Sequence, residues 1–184
     1  PILKSYLDNS FTGVIIRPAT VCGYAPHCRL DLSVNILTNH AVNNKKIIVL
    51  GGGEQKRPNL HVADMCRSYE LLVDRELNDI NGEVFNVSYE NKKIIELAEI
   101  VAKNVKSFFG YDNIEIEVKK ETVDNRSYHV NSDKIKRVLD FSPKYNIDDA
   151  VISLCHAFKD GKLPNSLTDS KYSNVATLKK LNVE

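Results

Sequence analysis

Three consecutive glycines, Gly51-Gly52-Gly53, are the residues that most invite a phosphate-binding reading. Their surroundings argue against it. A Walker loop needs Gly-Lys-Ser/Thr opening a helix, and a dinucleotide fingerprint needs G-x-G-x-x-G between a strand and a helix. Here Pro58 and a new apolar stretch follow, so the triplet reads as a turn from strand to loop. Metal chemistry has no better support. The five histidines, His27, His40, His61, His129 and His156, are scattered, and His61 with Asp64 has the i, i+3 spacing of two ligands without an evident third. No metal is expected. The four cysteines, Cys22, Cys28, Cys66 and Cys155, contain no zinc-knuckle or CxxC spacing, which predicts free, partly buried thiols in a reducing cytoplasm.

The elements that would position any site alternate between strand and helix. Phe11 to Pro18 is apolar and β-branched, as a buried strand should be, with Ile2 to Leu7 before it reading as the tail of a helix. Leu30, Val34, Leu37 and Ala41 recur at helical spacing up to Asn43-Asn44, and a second strand runs from Lys46 to Leu50. A helix with Val62, Met65, Tyr69, Leu72 and Val73 on one face carries Asp64 in its first turn, where the helix dipole favours an acid. Glu83 to Ser88 predicts a strand, and Ile94, Leu97, Ala98, Val101 and Val105 predict the helix after it. Ile114 to Val118 alternates like a strand with one wet face. Two short helices follow, near Asp133 to Asp140 and over Ile147 to Phe158, and the tail beyond Gly161 is expected to be loosely held. The alternation argues for an α/β protein with a mainly parallel sheet. With 184 residues, 42% of them hydrophobic, the chain is long enough for a real core. Its formal charge of +1 gives no reason to expect nucleic acid or a membrane surface as partner.

Four segments carry a family resemblance. The first is Ile15-Ile16-Arg17-Pro18-Ala19-Thr20-Val21-Cys22-Gly23-Tyr24, a strand ending in Arg-Pro and a turn. The second runs from Gly51-Gly52-Gly53 through Arg57-Pro58 to Val62-Ala63-Asp64, and the third is Gly82-Glu83-Val84-Phe85-Asn86-Val87. The fourth runs from Asp124-Asn125-Arg126 through Ser132-Asp133-Lys134 to Leu139 and Pro143. In this order they resemble the C-terminal half of the extended short-chain dehydrogenases, which include UDP-galactose 4-epimerase-like and dTDP-glucose dehydratase-like enzymes. Cys22 stands where the family usually has tyrosine, and Pro58 where it usually has aspartate.

The resemblance implies the C-terminal part of an NAD(P)-binding Rossmann fold plus the small α/β substrate-binding domain. It divides the chain at 1–24 (last part of the Rossmann core), 25–60 (substrate-binding segment), 61–90 (return to the Rossmann sheet), 91–160 (C-terminal substrate-binding domain) and 161–184 (tail). It implies NAD or NADP as cofactor, with Pro18, Ala19 and Thr20 against the nicotinamide end. It implies a nucleoside-diphosphate sugar as substrate, with Arg57 and Arg126 holding the diphosphate through bidentate, charge-assisted hydrogen bonds. Arg29 and Leu30, at the start of a helix, and Asn35 further along it match positions that touch the nucleotide, although ordinary capping by Asp31 accounts for the same pattern.

The family's chemistry rests on a glycine-rich turn and a Tyr-x-x-x-Lys pair, expected well upstream of Arg17; the only tyrosine before Arg17 is Tyr6, with Ser10 at the lysine's place. The chain is therefore expected to be the substrate-binding half of an NAD-dependent epimerase or dehydratase and inactive alone. An N-terminal half would come from another chain or the same gene, and a homodimer is possible. In the alternative reading the chain is a non-catalytic sensor or scaffold that kept a sugar-nucleotide or dinucleotide pocket.

Overall fold

The computed structural model describes residues 2–8, 10–120 and 126–182. Its strands form three small sheets. β1 (Ile15–Pro18) pairs in parallel with β5 (Val84–Val87), register Ile15 to Val84. β2 (Thr20–Cys22) pairs in parallel with β4 (Lys56–His61), which pairs antiparallel with β6 (Glu90–Lys93) on its other side. β3 (Lys46–Val49) pairs in parallel with β7 (Glu115–Val118). The helices are α1 (Ser33–Asn44), α2 (Val62–Val73), the single turn α3 (Leu77–Ile80), α4 (Ile94–Phe109), α5 (Asp133–Leu139), α6 (Ile147–Lys159) and α7 (Asn174–Lys180). None is long and apolar enough to cross a membrane.

Three apolar clusters hold these elements together. The largest joins α1, β3, α4 and α6 through Val34, Ile47, Val49, Leu97, Val101 and Val151, all fully buried. α4 is the helix its periodicity predicts. Its first turn is closed by Glu96 Oε2 accepting from Lys93 N–H at 2.7 Å, and it ends at Gly110 in the left-handed region. α6 begins with a reciprocal cap, Asn146 Oδ1 accepting from Asp149 N–H at 2.9 Å and Asp149 Oδ2 from Asn146 N–H at 2.8 Å. The second cluster packs β1 and β5 against α2 and α5, around Phe85, Leu72, Ile135 and Leu139. The third holds Cys28, Leu30 and Tyr172 against Leu154 and Ala157 of α6.

Five expectations change. The strand expected from Phe11 begins only at Ile15, and none of its four residues is fully buried. The Ile2 to Leu7 stretch forms a 3₁₀ turn over Leu3–Tyr6 and not α-helix. α1 starts at Ser33, leaving Leu30 outside it. On α2 the buried face is Asp64, Met65, Ser68 and Leu72, while Tyr69 is exposed and Val73 is 83% exposed. The tail is pinned to the body. Leu30 N–H donates to Tyr172 O at 2.9 Å, Asn39 Nδ2 donates to Ser166 O at 3.0 Å, and the Tyr172 ring is buried.

Candidate functional site

β4 positions Arg57. Its neighbour Lys56 is bonded twice to the segment that follows Arg126: Lys56 N–H donates to Ser127 Oγ at 3.0 Å, and Lys56 O accepts from Tyr128 N–H at 3.4 Å. Arg57 Nη1 donates to its neighbour's carbonyl, Lys56 O, at 3.0 Å and also to Arg126 O, and the guanidinium lies 5.6 Å from the centre of the Tyr128 ring. The Arg57 guanidinium is thus brought to the backbone of Arg126, 69 residues away. Asp124 and Asn125, which precede Arg126 in the family-like segment, lie outside the described residues.

Arg57 borders a cleft of about 540 Å³ between α1, the end of β3 and the start of α4. Its walls are apolar, with Ile36, Ile48, Leu50 and Ile94, and Lys119 stands at its rim with Arg57. Gln55 is fixed within it. Its Nε2 donates to Leu50 O at 2.8 Å, and its buried Oε1 finds no partner among the described residues. A buried amide oxygen without a donor is costly. Gly53 lies between Gln55 and the end of β3: at φ +80 a Cβ would stand 2.8 Å from Val49 Cγ1 and 3.3 Å from Ile95 N. Only glycine lets β3 and α4 approach this closely. His40 also faces the cleft, and burial holds its pKa below the ordinary histidine value.

A second cleft, of about 420 Å³, lies over Pro18, Ala19 and Thr20, where β1 ends and β2 begins. Arg29, Pro58 and Tyr128 complete it. Ala19 N–H is held in the ladder by Val87 O at 2.8 Å, and Pro18 is exposed. Arg29 is already charge-paired, its Nε and Nη2 donating to the two oxygens of Asp31 at 3.0 and 3.1 Å. Tyr128 borders this cleft and packs against Arg57, so the two clefts meet around that contact.

The model of the NAD dependent epimerase/dehydratase family matches residues 2–88. The chain resembles the NAD dependent epimerases and dehydratases. The dTDP-glucose 4,6-dehydratase of Streptomyces niveus is 26% identical over 140 residues, 76% of this chain and 40% of that protein. The dTDP-glucose 4,6-dehydratase of Bacillus anthracis, solved in complex with NAD, superimposes with a TM-score of 0.66 at 22% identity, over 84% of this chain and 47% of that one. The UDP-glucuronic acid 4-epimerase of Bacillus cereus, solved with UDP-glucuronic acid and NAD, gives 0.65 at 23% identity, over 80% and 45%. The chain spans less than half the length of each of these relatives. The fold resembles that of these dehydratase and epimerase structures: mixed α/β, with parallel strand pairs.

The fit to the dinucleotide these structures carry is partial. The end of β1 offers a wall for one end of a cofactor, while no G-x-G-x-x-G turn occurs among these residues to cradle a pyrophosphate.

Two residues expected at an epimerase- or dehydratase-like nucleotide site turn inward instead. Asn35 is buried; its Oδ1 accepts from Gly23 N–H at 3.0 Å and its Nδ2 donates to Arg29 O at 2.8 Å. It therefore fixes the turn at Gly23, whose φ of +97 suits glycine, and holds the backbone of Arg29. Leu30 is buried in the third cluster, and its N–H is taken by Tyr172 O. Asp31 caps no helix, since it is paired with Arg29 and α1 is preceded by Leu32.

Two other residues of the family-like segments hold the scaffold. His61 caps α2, its Nδ1 accepting from Ala63 N–H at 3.0 Å while its ring lies 4.9 Å from that of Tyr145. Burial lowers its pKa, which keeps that nitrogen an acceptor. Asp64 has no exposed side chain and collects Lys144 N–H, Tyr145 N–H and Arg67 Nη1. It thereby ties α2 to the segment leading into α6. The sequence marks Asp64 as a first-turn acid and as the end of a family-like segment; nothing local shows that its partners lie 80 residues away. Burial also pushes the Cys22 and Cys155 thiols up to about 12, so neither is a thiolate near neutral pH.

Proposed function

We propose that this chain is the substrate side of an NAD-dependent nucleoside-diphosphate-sugar epimerase or dehydratase. The apolar cleft between Ile48 and Ile94 takes the base. Arg57, joined by Arg126 and Lys119, takes the diphosphate, and the sugar extends toward the cleft over Pro18, Ala19 and Thr20. The observation that carries this reading is Arg57 bordering an apolar cleft with its guanidinium bonded to the backbone of Arg126. Arg29, paired with Asp31, lies at the sugar end; Asn35 and Leu30 act behind the site as supports.

On this reading these residues bind substrate and do not turn it over. The one tyrosine followed four positions later by lysine is Tyr89, with Lys93. Both belong to extended chain at β6, which separates their Cα atoms by about 13 Å, and Lys93 Nζ is bound to Glu54 at 2.6 Å. A phenol cannot be activated by a cation held that far away. The catalytic pair and the cofactor cradle would join from further strands beside β1. Its one partner strand among the described residues is β5, and Ile2, Tyr6 and Phe11 lie exposed just before it.

Calorimetry with dTDP-glucose and UDP-glucuronic acid, followed by an assay with added NAD, tests this. Saturable binding of at least one sugar nucleotide, with no conversion, is the expected outcome. Conversion by a preparation free of other enzymes, or failure to bind either, would overturn it.

A further inference from the structure

The sugar end of the proposed substrate path carries a charge that the chain itself cancels. We infer that this end selects a neutral hexose over a hexuronic acid, an inference that rests on the functional reading above. Among the described residues lining the cleft over Pro18, Ala19 and Thr20, Arg29 alone bears a formal charge. An arginine without a partner there would suit a sugar carboxylate, because its planar fork matches two carboxylate oxygens. Arg29 has a partner. Its Nε and Nη2 donate to the two oxygens of Asp31 at 3.0 and 3.1 Å, so one edge of the fork is already filled.

The surrounding chain fixes the pair in place. Residues 23–32 form neither helix nor strand, yet their backbone is tied down beside both partners. Arg29 O accepts from Asn35 Nδ2 at 2.8 Å, and Leu30 N–H donates to Tyr172 O at 2.9 Å. The Asp31 side chain is 25% exposed, which separates this pair from the fully solvated ones that contribute almost nothing. Burial opposes ionisation of Asp31, but the Arg29 guanidinium and the Ser173 hydroxyl outweigh it and hold its pKa below the ordinary carboxylate value. Near neutral pH the two charges therefore cancel. A sugar carboxylate would lose water to meet a guanidinium that is already shared, with Asp31 repelling it from the other edge. A hydroxymethyl group carries no such cost. Sugar hydroxyls accept from the remaining guanidinium N–H groups, and the C–H face of the ring suits Pro18, Pro58 and Tyr128.

Calorimetry of the whole chain with the glucose and glucuronic acid esters of UDP and of dTDP tests the inference, since each pair differs only in a hydroxymethyl against a carboxylate group. Within whichever nucleotide binds, the glucose form is expected to bind about tenfold tighter. Asp31→Asn frees the Arg29 fork while keeping the side chain's size and one acceptor oxygen, and should shrink that ratio about tenfold. Comparing a ratio removes any effect of the substitution on the nucleotide. A preference below about threefold in the unaltered chain, tighter binding of the glucuronic acid form, or an unmoved ratio in Asp31→Asn would each overturn this inference and leave the functional reading standing. Binding of none of the four compounds would overturn that reading, and this inference with it.

Discussion

Replacing Asp64 with alanine is expected to lower the melting temperature by about 10 °C or more. The carboxylate is wholly buried, with Lys144 N–H at 2.9 Å, Tyr145 N–H at 2.9 Å and Arg67 Nη1 at 2.5 Å. Removing it strands two backbone donors and half-frees a guanidinium. Breaking a buried charged set in this way costs about 3–5 kcal/mol, far more than the pair contributes over an apolar replacement. Arg67 retains a weaker bond to Ser142 O at 3.3 Å and its position 5.6 Å from the Phe141 ring, which softens the loss without cancelling it. Asp64→Asn keeps one acceptor oxygen and should fall between. Thermal melts followed by circular dichroism read both variants. A shift below about 3 °C for alanine would show that the segment before α6 is held by something else.

Arg57→Ala is expected to weaken sugar-nucleotide binding about 100-fold, since a bidentate charge-assisted contact to phosphate is worth about 1.5–3 kcal/mol for its hydrogen bonds alone. Arg57→Lys restores the charge and loses the planar fork, so it should recover only part of the affinity. Two effects need separating. Arg57 also donates to Arg126 O, so truncation loosens the chain at Arg126 and Tyr128. Arg126→Ala leaves that carbonyl in place and removes only the second guanidinium. Calorimetric affinities for the three variants distinguish the roles. Equal affinity in Arg57→Ala and the unaltered chain would remove Arg57 from the site.

The sequence patterns that proved legible are those in which burial follows simple periodicity. β3 and α4 are strongly apolar on one face, and their neighbours in the largest cluster are the residues the spacing singles out. β4 was hidden because Lys56, Arg57 and Asn59 are polar and Pro58 normally argues against an inner strand. Pro58 is tolerated because pairing with β2 begins only at Asn59. The face of α2 was misread because two of its buried positions, Asp64 and Ser68, are polar and satisfied by distant or backbone partners. The tail reads as loose because Asn165 to Asn174 is polar, yet Tyr172 anchors it, buried against Leu154 and Ala157 with its carbonyl accepting from Leu30 N–H at 2.9 Å. At the site, the motif segments named Arg57 and Arg126, while their meeting depends on a contact across 69 residues that no local pattern encodes. Asn35 illustrates the converse: a polar residue on a helix beside a candidate site, spent on backbone groups of its own fold.

The most direct test of the central claim is a crystal structure of the chain with dTDP or UDP bound. The account predicts the base between Ile48 and Ile94 and the diphosphate against the Arg57 guanidinium. A nucleotide bound elsewhere, with Arg57 making no contact to its phosphates, would contradict it.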